Sequence, residues 1–558
     1  MLLVKIVYGS AQSNYYVSPI GNNANTGSLA SPWLTIQHGL NQLSANDTLN
    51  LLTGTYTEKI DIPIDNIYLR NSANNTPVID ANGINSQNSV ISINNKSGIT
   101  IDGLEIKNNI QNDAQGVLIE GNGSNITIKN CKIHGIHFSS NPLAPVNATT
   151  NAQGIIVYGT NSSMAIQNLN ILNNELYDCR LGYSEGIAVN GNVDGFEVSD
   201  NVVYNLTNIG IDIIGHEGTC SNPTNDQARN GIVKNNIIHN CISPYATSGG
   251  VYIDGGKAIV VENNYSYHNG YGIEIGCENI GKTTDNIVVR NNVFYDNEIC
   301  ALALGGFDYP SGSGKVINST FRNNTCYYND FSNSGNGEFY LSYSENSIIE
   351  NNIFYLSSQN TLTYSELNQP SLVFNFNVFY SLGGAGSMNA DWNGASYSSF
   401  SSFQSGAGTN TSSIFSDPLF VSPGIASPDF HIQSTSPAIN TGNPSFIPAS
   451  GETDIDTEAR TNGVVDCGAD EFYTTTGISD IALSTVYSVF PNPTSGISTI
   501  QFKDGQNHSV QIISPFGQKI ADSKNNFSQN LEIDLTKFEA GIYFCIIDDK
   551  QIVKIVKQ

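Results

Sequence analysis

Through the middle of the chain, two or three β-branched or aliphatic residues alternate with polar ones, pause at Asn-Asn, and resume with another apolar pair. The copies read Val198-Ser-Asp-Asn201-Val-Val, Val233-Lys-Asn-Asn236-Ile-Ile, Val261-Glu-Asn-Asn264-Tyr-Ser, Val289-Arg-Asn-Asn292-Val-Phe, Phe321-Arg-Asn-Asn324-Thr-Cys and Ile349-Glu-Asn-Asn352-Ile-Phe. Their second asparagines stand at 201, 236, 264, 292, 324 and 352, so the separations are 35, 28, 28, 32 and 28 residues. Weaker copies begin at Ile101, Ile128, Ile171 and Phe374. Period-2 alternation inside a repeat of this length predicts a solenoid of stacked β-strands. Helical repeats are excluded, because β-branched residues and asparagine at this density are poor helix formers.

Coils stacked about 4.8 Å apart place equivalent side chains directly above one another, so an inward asparagine at a turn can hydrogen-bond to its copies above and below. A second column precedes the first: Gly154-Ile-Ile-Val-Tyr, Gly186-Ile-Ala-Val-Asn, Gly210-Ile-Asp-Ile-Ile, Gly250-Val-Tyr-Ile-Asp, Gly272-Ile-Glu-Ile-Gly and Ala301-Leu-Ala-Leu-Gly. Alternation sends Ile211, Ile213, Val251, Ile253, Ile273 and Ile275 into the core and turns the residues between them outward.

Composition agrees with strands and polar turns, since charged residues make only 13% of the 558. Against 23 basic side chains stand 49 acidic ones, a formal charge of −26 that repels nucleic acid and anionic lipid. The nine cysteines are scattered singly, with no CxxC pair or metal-ligand spacing, and read as small buried hydrophobes. No apolar run reaches the roughly 18 residues that span a bilayer. Residues 1–13 read as the remnant of a signal peptide, a short apolar stretch running into small residues near Ala11. It is too short for a complete one, so a truncated start is expected.

Both ends of the repeat carry resemblances. Tyr15-Tyr-Val-Ser-Pro, Ser31-Pro-Trp-Leu-Thr-Ile-Gln and Gly54-Thr-Tyr-Thr-Glu resemble the entry segment of pectate-lyase-like β-helix proteins. That resemblance implies a short plugging helix over about Pro32 to Leu43, with Trp33, Ile36, Leu40 and Leu43 on one face. Asp417-Pro-Leu-Phe, Ser436-Pro-Ala-Ile-Asn, Asp454-Ile-Asp, Arg460 and Val465-Asp-Cys-Gly-Ala-Asp-Glu-Phe472 resemble a closing segment of exported bacterial β-helices, expected to cap the far end with turn carboxylates. Val489-Phe-Pro-Asn-Pro-Thr-Ser-Gly496, Gly541-Ile-Tyr-Phe and the final Lys554-Ile-Val-Lys-Gln resemble a type A sorting domain of the Bacteroidetes type IX secretion system. The expected organisation is therefore all-β. A right-handed parallel β-helix of about ten coils spans 14–472, a linker 473–480, and a small β-sandwich sorting domain 481–558. The sorting resemblance implies export through the Sec and then the type IX machinery to the outer-membrane surface or beyond.

Loops interrupt neighbouring coils at 138–153, 215–230, 243–249 and 305–314, and long loops on a rigid solenoid carry function. Beside them lie the outward acids Asp212, Asp254 and Glu274. Tyr252 and Glu274 share the strand register of Asp212, and Asp254 is displaced by two places. Stacked carboxylates repel unless a cation, a shared proton or a basic neighbour relieves them. They are candidates for acid and base roles and equally for calcium ligands. His216, Glu217, Arg229 and Lys257 flank them as further catalytic candidates. Tyr252, Tyr271, Glu278, Lys282, Phe307 and Tyr309 are candidates for substrate binding.

Three functions follow. The pectate-lyase-like resemblance implies a calcium-dependent lyase acting by β-elimination on a uronate glycan, with Asp212, Asp254 and Glu274 as calcium ligands and Lys257 or Arg229 as base. This reading is narrowly favoured. A glycoside hydrolase would divide acid and base roles among the same three acids, with His216 assisting. A non-catalytic, glycan-binding or structural surface protein is the third. The expected partners are a polysaccharide and the type IX machinery, with the chain itself a monomer.

Overall fold

The structure, a computed structural model, describes residues 13–366, 369–424, 428–473, 487–502, 508–514, 519–524, 530–547 and 551–558. The leader expected at 1–13 and the linker at 473–480 fall almost wholly outside them. The chain forms two compact units, Met1–Phe472 and Tyr473–Gln558.

In the first unit the chain visits three sheets in turn and adds parallel strands to each, save the last strand of one sheet, Ala395–Tyr397, which runs antiparallel to Asn389–Trp392. The strand paths run to thirteen in each sheet, more than the ten coils expected, because the terminal coils lack the Asn-Asn signature. Eight strands of one sheet, here the groove sheet, matter for function: β1 (Ala152–Gly159), β2 (Ile187–Gly191), β3 (Ile211–Ile214), β4 (Gly249–Asp254), β5 (Tyr271–Gly276), β6 (Cys300–Leu304), β7 (Phe339–Leu341) and β8 (Thr361–Ser365). Ile211, Val251 and Ile273 are in register and fully buried, as are Ile213 and Ile253 with Ile275 nearly so, and they form the core column that alternation predicts.

Each coil passes from the groove sheet to a second sheet, which holds Arg229–Lys234 and Lys257–Glu262, and then to a third, which holds Tyr265–Tyr267 and Val293–Tyr295, and the turn between the second and the third explains the Asn-Asn pair. Its first member takes a left-handed backbone, with φ of 55° at Asn235 and Asn263 and 57° at Asn291, which asparagine adopts more readily than most residues. Its second member points inward. Asn174, Asn201, Asn236, Asn264, Asn292, Asn324, Asn352 and Asn377 form one unbroken ladder, each Nδ2 donating to the Oδ1 of the next at 2.9–3.0 Å. That Oδ1 also accepts the backbone N–H of the preceding rung, as Asn264 does from Asn236 at 2.9 Å. A second ladder, Asn269, Asn297 and Asn329, ends on the buried carboxylate of Glu338, which accepts from Asn329 at 2.8 and 3.0 Å.

The helix Ile36–Gln42 plugs the first end, shorter than the expected 32–43. Ile36 and Leu40 are fully buried, and the Glu58 carboxylate accepts the N–H groups of Ile36 and Gln37. The other end is covered by the helix Phe400–Ala407, whose Phe403 packs against Trp392 and Phe374. The segment expected to cap that end instead folds back along the flank. Thr453, Asp454 and Asp466 offer carbonyls to Asn291, Asn263 and Asn323, and Phe430 covers Tyr295 and Tyr327 on the outside of the third sheet. Glu452 ties it down by accepting from Arg290 and Arg322, each at 2.8 Å. Its acids act as turn acceptors, as expected: Asp454 takes the N–H groups of Asp456, Glu458 and Glu471.

The second unit is a β-sandwich of three and four antiparallel strands. Ile500, Phe502, Val510, Ile533, Cys545 and Ile555 fill its core. All nine cysteines of the chain are buried and unpaired.

The ladder carries a testable consequence. Asn264→Ala strands two donors on Asn236 and leaves the carbonyls of Val233 and Glu262 without their side-chain partner. Hydrogen exchange of the amides at 233–292 is expected to show a loss of roughly 2–3 kcal/mol of local protection, at about 1–3 kcal/mol per stranded buried group.

Candidate functional site

Outward residues of the groove sheet stack as strictly as the inward ones. One column runs Ile156, Ala188, Asp212, Tyr252, Glu274, Ala303, Tyr340, Tyr364 from β1 to β8. Asp254 stands two places along, opposite Gly276. The loops wall this face into a groove with two adjoining chambers. One, about 730 Å³, contains Glu185, Asp212, Asp254, Glu217 and Glu278. The other, about 590 Å³, contains Tyr271, Glu274, Phe307, Tyr340, Tyr364 and Glu366. Thr247, Tyr252 and Glu278 border both, so the chambers are continuous.

Seven carboxyl groups thus line the two chambers, and no Lys, Arg or His lines either one among the described residues. Asp212 and Asp254 are 3% and 5% exposed although they face outward, because the loops roof them. Burial lifts the Asp212 carboxyl well above the usual carboxylate range, and the charges of Glu185, Asp254, Glu278 and Glu274 lift it further. Asp254 is raised in the same way, burial first and then Glu278, but its Oδ1 also accepts the Glu278 N–H at 2.8 Å, which favours the charged form. Asp212 Oδ1 is buried with no hydrogen-bond partner. Glu185 and Glu274 keep part of their surface open to the groove yet sit deep among protein atoms, and burial pushes each up to about 8. Oxygen atoms of Glu217, Asp254 and Glu278 lie within 4.8 Å of one another. An all-oxygen set of this kind suits a hard cation such as calcium.

The structure therefore gathers Asp212, Glu217, Asp254, Glu274 and Glu278 with the rings of Tyr252, Tyr271 and Phe307. It separates the basic candidates from them. Arg229 and Lys257 belong to strands of the second sheet, where Arg229 pairs with Asp194 at 3.2 Å and Lys257 with Asp285 at 3.4 Å. In-register stacking of Asp194, Arg229, Lys257 and Asp285 explains both pairs. His216 and Lys282 line a separate recess with Cys220 and Asp226, and His216 Nε2 meets the Thr283 carbonyl at 3.2 Å. Tyr309 stacks on Tyr343 at 4.2 Å between centroids rather than lining the groove.

Sequence reasoning missed Glu185, Tyr340, Tyr364 and Glu366. Glu185 had a signal, since it precedes Gly186 as Gln153 precedes Gly154, one coil below the Asp212 strand. The two tyrosines had none, because the coils carrying them have lost the Gly-led strand motif.

Residues 224–403 match the sequence model of a family described as the right handed beta helix region, and 488–558 match the secretion system C-terminal sorting domain. Pectate lyase Pel9A is 16% identical, covering 83% of this chain and 97% of its own, with a TM-score of 0.44. The catalytic unit of a GH87 α-1,3-glucanase from Streptomyces thermodiastaticus is 14% identical, covering 68% of this chain and 65% of its own, with a TM-score of 0.41. Coils and tail together define a right-handed parallel β-helix protein exported by type IX secretion to the cell surface or the extracellular space. The uncharacterised protein YwoF of Bacillus subtilis (strain 168) is 33% identical over 475 residues, 78% of this chain and 96% of YwoF. The chain belongs to the YwoF family.

The raised carboxyls set a pH dependence whose sign is fixed. Groups that titrate higher in the folded than in the unfolded chain keep their protons longer when folded, so stability falls as pH rises from about 4 to about 8. The melting temperature of wild type is expected to fall more between pH 5 and pH 8 than that of Glu185→Gln, read by calorimetry in chelator-treated buffer.

Proposed function

We infer that the groove is the active site of an exported glycan hydrolase whose acid and base are both carboxyl groups. The observation that carries this reading is the joining of Asp212 and Asp254 on adjacent coils in a cleft lined by no basic side chain among the described residues. Neighbouring strands place diagonal residues about 7–8 Å apart, within the roughly 6.5–9.5 Å that leaves room for a water in an inverting hydrolase. The two acids differ in a way that divides the work. Asp212, buried with an unpartnered oxygen, holds a proton and is the general acid for the leaving glycosidic oxygen. Asp254, stabilised as a carboxylate by the Glu278 N–H, is the general base for the attacking water. Glu274 and Glu278 raise both carboxyls, Glu185 adds to the rise of Asp212 and Glu217 to that of Asp254, and together they keep the proton on the acid near neutral pH.

The oxygen cluster of Glu217, Asp254 and Glu278 favours a second reading, the calcium-dependent lyase. Calcium held there would neutralise a uronate carboxylate. That reading needs a base in the groove, and Lys257 and Arg229, its candidates, are engaged on another sheet.

Asp212→Asn and Asp254→Asn are expected to lower glycan cleavage by 10²-fold or more with the melting temperature unchanged or raised, about the contribution of a positioned acid or base. Arg229→Ala and Lys257→Ala are expected to stay within a few-fold of wild type. Reducing-end and ultraviolet assays on the same digests separate the readings. New reducing ends without an unsaturated product fit the hydrolase, and a chelator-sensitive ultraviolet product fits the lyase. Full cleavage by both Asn variants would sink either role for these acids.

A further inference from the structure

Beyond the acids the groove changes character. Past Glu274 its floor drops at Ala303, Gly276 and Gly305, and its sides become rings. Tyr340 and Tyr364 follow Ala303 in the same outward column, their rings 3° from parallel and 6.1 Å apart between centroids. Tyr340 Oη donates to Glu366 Oε1 at 2.6 Å, which fixes the ring and leaves the second carboxylate oxygen of Glu366 free of that bond. Phe307, 69% exposed on its loop, stands over the same chamber. So large an exposed aromatic beside a 590 Å³ recess is the usual composition of a ligand pocket, apolar surface with a few polar groups to fix orientation.

We propose that this aromatic chamber is a binding subsite for an uncharged pyranose chain, which lies along the solenoid axis and passes over the acids at the chamber's border. The inference rests on the hydrolase reading for what happens at the border, and on the chamber itself for what binds. Charge selects the ligand class. Among the described residues neither chamber presents a cation to a uronate or sulfate, while the carboxylate of Glu366 repels both. Rings with hydroxyl and carboxylate acceptors suit sugar faces and sugar hydroxyls instead. Geometry sets the length. Seven coil spacings from β1 to β8 make about 34 Å, room for roughly six sugar units. A chain of that length has units on both sides of the acids, so cleavage falls inside it rather than at its end.

Binding tests the subsite apart from catalysis. The full chain carrying Asp212→Asn is titrated with hexasaccharides of β-1,4-xylan, β-1,3-glucan, α-1,3-glucan and β-1,4-mannan, and with hexagalacturonate, in chelator. At least one neutral hexasaccharide is expected to bind at least tenfold more tightly than hexagalacturonate and than its own disaccharide. Adding Tyr340→Ala or Phe307→Ala is expected to weaken that binding tenfold or more, while Tyr340→Phe costs threefold at most. Phe307 lies on an exposed loop, so its variant reports even where Tyr340→Ala fails to fold. Ring-dependent binding by a chain that cleaves nothing before the Asp212 change would overturn the hydrolase reading and uphold this one. Tighter binding of hexagalacturonate, neutral binding indifferent to the rings, or no neutral binding below millimolar overturns the subsite.

Discussion

Everything outside the solenoid core depends on coils that cannot slip against one another. Hydrophobic alternation fixes which face is inward, but a shift of two residues would keep that pattern intact. The buried asparagine ladder removes this freedom. Each rung donates to an oxygen above and accepts from two groups below, so displacement of one coil would leave several polar groups buried and unpaired, each costing about 1–3 kcal/mol. Register set on the inside is inherited by the outside. That is how Asp212, Tyr252 and Glu274, far apart in sequence, come to share one column on the groove face.

The same rigidity makes the carboxyl cluster affordable. Asp212 and Asp254 repel each other and are cut off from water by the loops, a combination that a yielding surface would relieve by swinging side chains apart. Here the strands forbid it. The basic residues that would quench the charge are held on the second sheet in their own acid–base column, Asp194 with Arg229 and Lys257 with Asp285. Two neighbouring faces of one set of coils thus have opposite electrostatic outcomes. One is neutralised pair by pair. The other concentrates acids whose burial and mutual repulsion favour their protonated forms.

The architecture was legible in the sequence because it rests on repetition. The ladder asparagines, the Gly-led strands, the core isoleucines and the register of Asp212, Tyr252 and Glu274 all follow from period and alternation. What was not legible depends on where a turn leaves the sheet. Lys257 follows Asp254 by three residues, yet the turn at Gly255-Gly256 carries it onto the next sheet. Arg229 closes a loop stretch in the sequence pattern and in the fold begins a strand, Arg229–Lys234. His216 adjoins Glu217, but its left-handed backbone, φ 72°, directs the two side chains to different recesses. The closing segment held the right turn carboxylates and the wrong destination, since nothing in a turn motif says which surface it will cover.

The division of labour proposed for the acids comes down to one backbone N–H. Asp212 and Asp254 have the same side chain, similar burial and largely the same charged neighbours. What separates them is that the chain leaving β5 passes Asp254 and gives it the amide of Glu278, while nothing comparable reaches Asp212 Oδ1. The residue delivering that amide also carries a carboxylate, which raises the pKa of both. Glu278 therefore acts in opposite senses through its two parts. Its side chain adds to the repulsion that keeps a proton in the cluster, and its backbone decides which oxygen is the poorer place to keep it. Such an arrangement needs the turn after β5 held to a fraction of an ångström against β4, which is what the locked register supplies.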